Sequence, residues 1–235
     1  MKLEKITKQP EPARRRYEDA CGTAHALDLV GERWALLVVR ELMLGPRRFG
    51  DLKSALTGIS ANVLTQRLEG LEESGIVIRR KLPPPASVQV YELTEWGYEA
   101  GPIFETLGRW AARSPHHDPT LPISPISLFL SFRTMFDAGR AGELNARIGV
   151  KFGEESFVVT IADGSIRTER GEAPGANVTF TGSAQALAAA VYGGQPLDGL
   201  AKAGALSVAG DRGIAERFVA LFPLPPKVGV ATASA

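Results

Sequence analysis

The segment from Phe49 to Leu93 constrains the fold more than any other; it reads FGDLKSALTGISANVLTQRLEGLEESGIVIRRKLPPPASVQVYEL. Leu52, Ala55 and Leu56 mark a short helix that ends at Thr57-Gly58. Ser60 then stands where an N-cap is needed, its hydroxyl able to accept a hydrogen bond from a free backbone N–H of the first turn. Leu64, Leu68 and Leu71 recur at i, i+4 and i+7, which defines one buried stripe, and Gly75 closes that helix. The runs Ile76 to Leu82 and Val88 to Leu93 are rich in β-branched residues and flank PPPAS, which suits an exposed hairpin tip. Helix, turn, capped helix and basic hairpin in that order make a helix-turn-helix with a wing. Double-stranded DNA is the partner this arrangement predicts.

A helix reads a major groove only when one face is fastened to a core and the other offers short polar groups to base edges. The helix opening at Ser60 meets both conditions. Asn62 and Gln66 lie four apart on one face, and both amides can pair with adenine in the bidentate manner; Thr65 can touch a thymine methyl or a phosphate. Arg67 lies toward the flank of that face, where a backbone contact is expected. Arg47 and Arg48, just before the preceding helix, are expected to meet phosphates together with its N-terminus. In the wing, Arg79, Arg80 and Lys81 form a basic run leading to the tip. The plain alternative is that any amphipathic helix shows a polar face and that charge runs are usually solvated.

On either side of this segment the chain is patterned for helices. Ala24, Leu27, Leu29 and Val30 give a short apolar face stopped by Gly31; Trp34, Leu37, Val38 and Leu42 continue at helical spacing until Gly45-Pro46. Thr94 caps a predicted helix running through Trp96, Ile103, Phe104, Leu107 and Trp110 that is too apolar for a lone exposed helix, so a partner subunit or a second domain must cover it. Four prolines between Ala112 and Ser127 forbid a continuous helix there. The expected division is an N-terminal arm over 1–16 with the basic triplet Arg14 to Arg16, a winged domain over 17–113, a linker over 114–122, a second domain over 123–225 and a tail over 226–235. The second domain is predicted to open with a helix carrying Leu128, Phe129, Phe132, Met135 and Phe136 inward. Strands at Ala146 to Phe152, Ser156 to Ala162, Ser165 to Arg170 and Asn177 to Thr181 follow, with a sharp hairpin at Asp163-Gly164. Helices at Ala184 to Tyr192 and Leu197 to Ala203, a strand near Leu206 to Val208 and a last helix from Asp211 to Phe222 complete an α+β pattern.

Composition excludes more than it identifies. The 235 residues are 44% hydrophobic with a formal net charge of +1, so a DNA partner must be argued from charge placement and not from overall basicity. No apolar run has the roughly 18 residues of a membrane span, and the start lacks a secretion signal, so the expected location is cytoplasmic with no membrane partner. One cysteine excludes an internal disulfide, and His25, His116 and His117 form no metal-ligand spacing; no metal and no cofactor are expected. Without a phosphate loop, a nucleophile elbow or a His-based constellation, the chain is not expected to be an enzyme.

At this level of detail the sequence resembles a known family. Cys21 before the first helix, Gly31-Glu32-Arg33-Trp34, Gly45 through Leu52 as G-x-x-R-F-x-D-L, and Gly58 through Leu68 as G-I-S-x-x-V-L-T-x-R-L together resemble the HxlR-type winged helix-turn-helix regulators over about 17–113. The resemblance implies a transcriptional regulator, with an inclination to repressor. It also implies a homodimer whose terminal helices, Cys21 to Val30 and Glu95 to Ala112, pack across the two-fold axis. Such a dimer favours an inverted-repeat operator, read by the helix from Ser60, with the wing on the flanking backbone.

Two features point to regulation. Cys21 stands where some members of that family carry a reactive cysteine, and a thiol near a helix N-terminus close to Arg14 to Arg16 has reason to be acidic; the plain alternative is a small buried core residue. Without a second cysteine, a disulfide would have to join two subunits or a small thiol. The stretch Ala176 to Pro223, with its L-x-V-x-G-D strand at Leu206 to Asp211, is similar to the sterol-carrier-protein type of lipid-binding domain. That resemblance implies an apolar tunnel for a fatty or other apolar effector, with Leu128, Phe132, Phe136, Leu187, Val191, Leu200, Phe218 and Phe222 as its lining. The same residues would serve equally as plain core. The competing reading of the whole chain is a lipid-binding or interaction protein that uses its winged half only to dimerise.

Overall fold

A computed structural model describes residues 17–229. The first half contains α1 (Gly22–Val30), α2 (Ala35–Leu42), α3 (Phe49–Ala55), α4 (Ala61–Glu73), β1 (Val77–Lys81), β2 (Gln89–Leu93), α5 (Glu95–Tyr98) and α6 (Gly101–Ala112). The second contains α7 (Pro125–Met135), α8 (Ala138–Ala141), β3 (Ala146–Phe152), β4 (Glu155–Ala162), β5 (Ser165–Arg170), β6 (Val178–Gly182), α9 (Ala184–Val191), α10 (Leu197–Lys202), β7 (Leu206–Gly210) and α11 (Arg212–Val219). The architecture is therefore α+β, a winged helix-turn-helix followed by a sheet-containing domain. The Arg14 to Arg16 triplet lies outside the described residues.

Local chemistry explains the element ends. The Ser60 hydroxyl accepts from Val63 N–H at 3.2 Å and opens α4; Gly75 closes it at φ +70°, a left-handed conformation that glycine takes without a Cβ clash. Ser124, Ser183 and Asp211 cap α7, α9 and α11 in the same way. The long helix expected after Thr94 is instead two, α5 and α6. Pro102 in the first turn of α6 has no N–H to give and its ring would strike the carbonyl four residues back, so the helix restarts there. Gly97 is also constrained: a Cβ would lie 2.3 Å from the Ile76 carbonyl oxygen, so α5 can sit against the base of the wing only with glycine at that position.

β1 and β2 pair antiparallel from Val77↔Leu93 to Lys81↔Gln89, and Arg47 adds a single bridge to Tyr91. In the second half five strands run in the order β5-β4-β3-β6-β7, with β3 and β6 parallel and the other pairs antiparallel. The helix expected to carry Phe136 ends at Met135 with Phe136 as its C-cap, and α8 begins a new turn capped by Asp137.

The two halves share one continuous core. α2 packs on α4 and β2 on one side and on α7 on the other, while α6 lies along α7. There Arg133 pairs with Glu105 at 2.8 Å and Arg109 donates to the Thr134 carbonyl. The 114–122 segment is held in place, not a loose spacer: Gln185 donates to the Thr120 carbonyl at 3.0 Å, and Lys227 donates to the carbonyls of Ala112 and His117, both at 3.0 Å. Val228 N–H reaches the Arg113 carbonyl at 2.8 Å, so the start of the expected tail is part of the fold.

Candidate DNA-contact face and interdomain cleft

On α4, Leu64, Leu68 and Leu71 are buried, and Asn62, Thr65 and Gln66 are exposed on the opposite side beside Ser60. Sequence periodicity predicted this division and the structure brings these polar groups to one surface. Arg48, at the N-cap of α3, is exposed as well, its N–H bound by Asp51 at 3.2 Å. Ile78, Arg79, Arg80 and Lys81 are all exposed along β1. Arg79 makes a paired hydrogen bond to Glu72 at 3.0 and 3.1 Å, which raises its already high pKa, and Arg80 pairs with Glu92 at 2.5 Å. The wing's basic run is thus partly neutralised, and Lys81 has no ion-pair partner among the described residues. Exposed pairs of this sort are weak, and phosphates can compete for both arginines.

Two of the expected DNA contacts fall differently. Arg47 is not a phosphate ligand: it is 6% exposed, with Nη1 3.1 Å from Glu41 Oε2 and Nη2 3.2 Å from Glu155 Oε1. A buried carboxylate needs a paired cation, and Arg47 meets that need from inside. Arg67 is half-buried, its guanidinium 3.2 Å from Glu32, which ties α4 to the turn before α2 and leaves little of it for DNA.

Glu41, Glu155 and Arg170 escaped the sequence reading, and they complete this network. Glu41 is fully buried on α2; Arg40 gives it two hydrogen bonds at 2.9 and 3.0 Å to Oε1, and the Ser124 hydroxyl donates to the same oxygen at 2.7 Å. Glu155 on β4 also pairs with Arg170 at 3.1 Å. Burial pushes the Arg170 pKa down and the Glu155 charge raises it; its guanidinium lies 5.5 Å from the Phe157 ring centre. The one visible sequence signal was an acid between the buried positions Val38, Val39 and Leu42 of an apolar helix.

The expected apolar tunnel is not where the sequence placed it. Phe132 stacks on Phe222 at 4.5 Å and meets Phe218 edge-on at 5.5 Å, while Leu128 and Leu187 are fully buried. These four, with Phe222 and the buried Leu200, fill the core. Phe136 and Val191 are half-buried and pack against the same core. None of the eight predicted lining residues borders the apolar cleft that the structure does contain. That cleft, about 330 Å³, lies between the halves, walled by Leu36 and Leu37 of α2, Phe104 and Leu107 of α6, and Leu130 and Met135 of α7. Arg40, His117, Ser127, Ser131 and Tyr192 supply its polar groups. The Tyr192 hydroxyl is 2.5 Å from that of Ser131, and burial pushes its pKa far above the usual phenol value, so it stays protonated.

Cys21 is exposed, not a core residue, and sits at the N-cap of α1. Hydrogen bonds from the backbones of Thr23 and Ala24, and then from the Thr23 side chain, hold its thiol pKa below the ordinary value.

Comparison with known proteins gives these surfaces a context. Residues 29–118 match the family model described as HxlR-like helix-turn-helix, and residues 121–227 match one described as Alkyl sulfatase C-terminal. The HTH-type transcriptional regulator YodB of Bacillus subtilis (strain 168) is 37% identical over 86 residues, 37% of this chain and 77% of YodB. The uncharacterized HTH-type transcriptional regulator YvaP of the same organism is 36% identical over 86 residues, 37% of this chain and 80% of YvaP. The chain belongs to the HxlR-like helix-turn-helix family. A solved structure of reduced YodB from B. subtilis, 34% identical, covers 42% of this chain and 98% of that one, with a TM-score of 0.38. These HxlR relatives are transcriptional regulators, and each matches 37% of this chain. Among the described residues no helix is long and apolar enough to cross a membrane.

Proposed function

We propose that this chain is a dimeric, sequence-specific DNA-binding repressor of an inverted-repeat operator, with a winged unit over 17–113 and a sensing unit over 123–225. The observation that carries the reading is α4: three leucines fix it to the core while Ser60, Asn62, Thr65 and Gln66 stand clear on the outer side. Asn62 and Gln66 read bases; Arg48, Arg80 and Lys81, with Arg79 once released from Glu72, hold phosphates. Dimerisation is supported by the apolar surface that α1, α5 and α6 leave open, with Trp110 71%, Ile103 50% and Leu27 48% exposed. α6 lies against α7 of the second half, while its Ile103 and Trp110 stay exposed.

The helices and strands of the second half, with the apolar cleft beside them, support a small apolar effector. An effector acts by favouring a dimer shape whose recognition helices no longer match successive major grooves. No catalytic role is assigned to the second half. The test is a mobility shift on the DNA upstream of the chain's own gene. Selective, salt-dependent binding supports the regulator; binding without any sequence preference supports the lipid-binding alternative, in which the winged half only dimerises.

The exposure and lowered pKa of Cys21 favour a second input, a thiol that responds to oxidants or electrophiles. Operator release by a quinone in the parent and its absence in Cys21→Ser supports that input. An identical response in both removes it.

A further inference from the structure

The cleft between the halves has an electrostatic character as well as an apolar one. Arg40 and His117 line it, and no carboxylate does. Arg40 sits at the end of a chain of charges: its Nε and Nη2 both bind Glu41 Oε1, Glu41 Oε2 binds Arg47, and Arg47 binds Glu155. Because Glu41 is already held by Arg47 and the Ser124 hydroxyl, Arg40 can share its guanidinium with a second anion without leaving a buried charge alone. Beside Arg40, Ser127 and the protonated Tyr192 add hydrogen-bonding groups to walls that are mostly aliphatic and aromatic. A volume of about 330 Å³ falls at the small end of the range for small-molecule sites.

We propose that this interdomain cleft binds an apolar organic anion, a carboxylate or sulfonate on a hydrocarbon or aromatic body, with its charged head on Arg40. The site rests on the reading of the second half as a sensor and locates that sensor between the halves, not inside the sheet domain. A head group on Arg40 shares the cation that Glu41 otherwise holds. Glu41 in turn anchors Arg47, whose backbone bridges to Tyr91 of the wing and whose neighbour caps α3. Ligand occupancy therefore reaches the DNA-contact elements through ion pairs already present in the fold.

The test uses the full chain and two fluorescent probes of similar body, 1-anilinonaphthalene-8-sulfonate and the uncharged N-phenyl-1-naphthylamine, with DNA affinity titrated separately in the presence and absence of decanoate. The sulfonate is expected to bind saturably, one per chain, to be displaced by decanoate, and to bind at least tenfold more tightly than the neutral probe. Arg40→Gln lowers sulfonate affinity tenfold or more and leaves the neutral probe unchanged. Leu37→Trp, at a half-exposed position on the cleft wall that tolerates a larger side chain, weakens both probes. Equal affinity of the two probes, or sulfonate binding unaltered in both variants, overturns the site. If the probes bind as expected but decanoate leaves DNA affinity unchanged, the site stands and the sensor reading of the second half falls.

Discussion

Glu41 illustrates how one side chain can govern two domains. Its carboxylate is fully buried and held by Arg40, Arg47 and the Ser124 hydroxyl, so each partner contributes only while the others remain. Removing one member of a buried pair costs far more than the pair adds, because the remaining charge is stranded. Glu41→Ala should therefore lower stability by about 3 kcal/mol, read as a shift of the urea midpoint, while Glu41→Gln loses less by keeping hydrogen bonds. A change below about 0.5 kcal/mol for the alanine variant would mean that the network does not hold the halves together. Cys21 is a residue-scale case of the opposite kind, an exposed thiol outside the core. Its lowered pKa means that thiolate appears at lower pH than in a free thiol, so the rate of alkylation by iodoacetamide should rise through a midpoint below that of free N-acetylcysteine titrated alongside. A midpoint at or above that value would remove the case for a reactive thiol.

Among the elements, α4 and the wing were legible in the sequence because their signals are local. The leucine repeat, the Ser60 cap and Gly75 lie within one helix, and each acts on backbone groups a few residues away. Ser60→Ala should accordingly cost about 1 kcal/mol in thermal or urea unfolding without changing the fold. The strands β3, β4, β5 and β6 were legible for the same reason. The role of Arg47 was not, because an arginine beside a helix start looks alike whether it faces phosphate or a buried acid, and Glu155 lies on a strand of the other half. The apolar positions of α7, α9 and α11 could be assigned to an interior, but whether that interior held a cavity depended on how six phenylalanines interlock. The real cleft draws on α2 and α6, whose contact with α7 no local pattern announces.

For the whole molecule, α1, α5 and α6 leave Leu27, Ile103 and Trp110 exposed, and the proposed two-fold dimer would cover that surface while setting half-site spacing. Ile103→Glu combined with Trp110→Glu should convert the dimer to monomer in sedimentation velocity, with both side chains exposed enough for the fold to persist. A double variant that stays dimeric at micromolar concentration would place the interface elsewhere. Whether α4 reads bases decides between a sequence-specific regulator and a protein that only dimerises through its winged half. Fluorescence anisotropy of the cognate upstream duplex and a scrambled one, titrated across salt concentrations, tests it with Asn62→Ala plus Gln66→Ala against the parent. Each amide pair is worth about 1 to 3 kcal/mol of base discrimination. The double variant should therefore lose tenfold or more of its preference for the cognate duplex, yet keep the parent's salt dependence from its phosphate contacts. Preference for the cognate duplex undiminished in the variant would contradict the account.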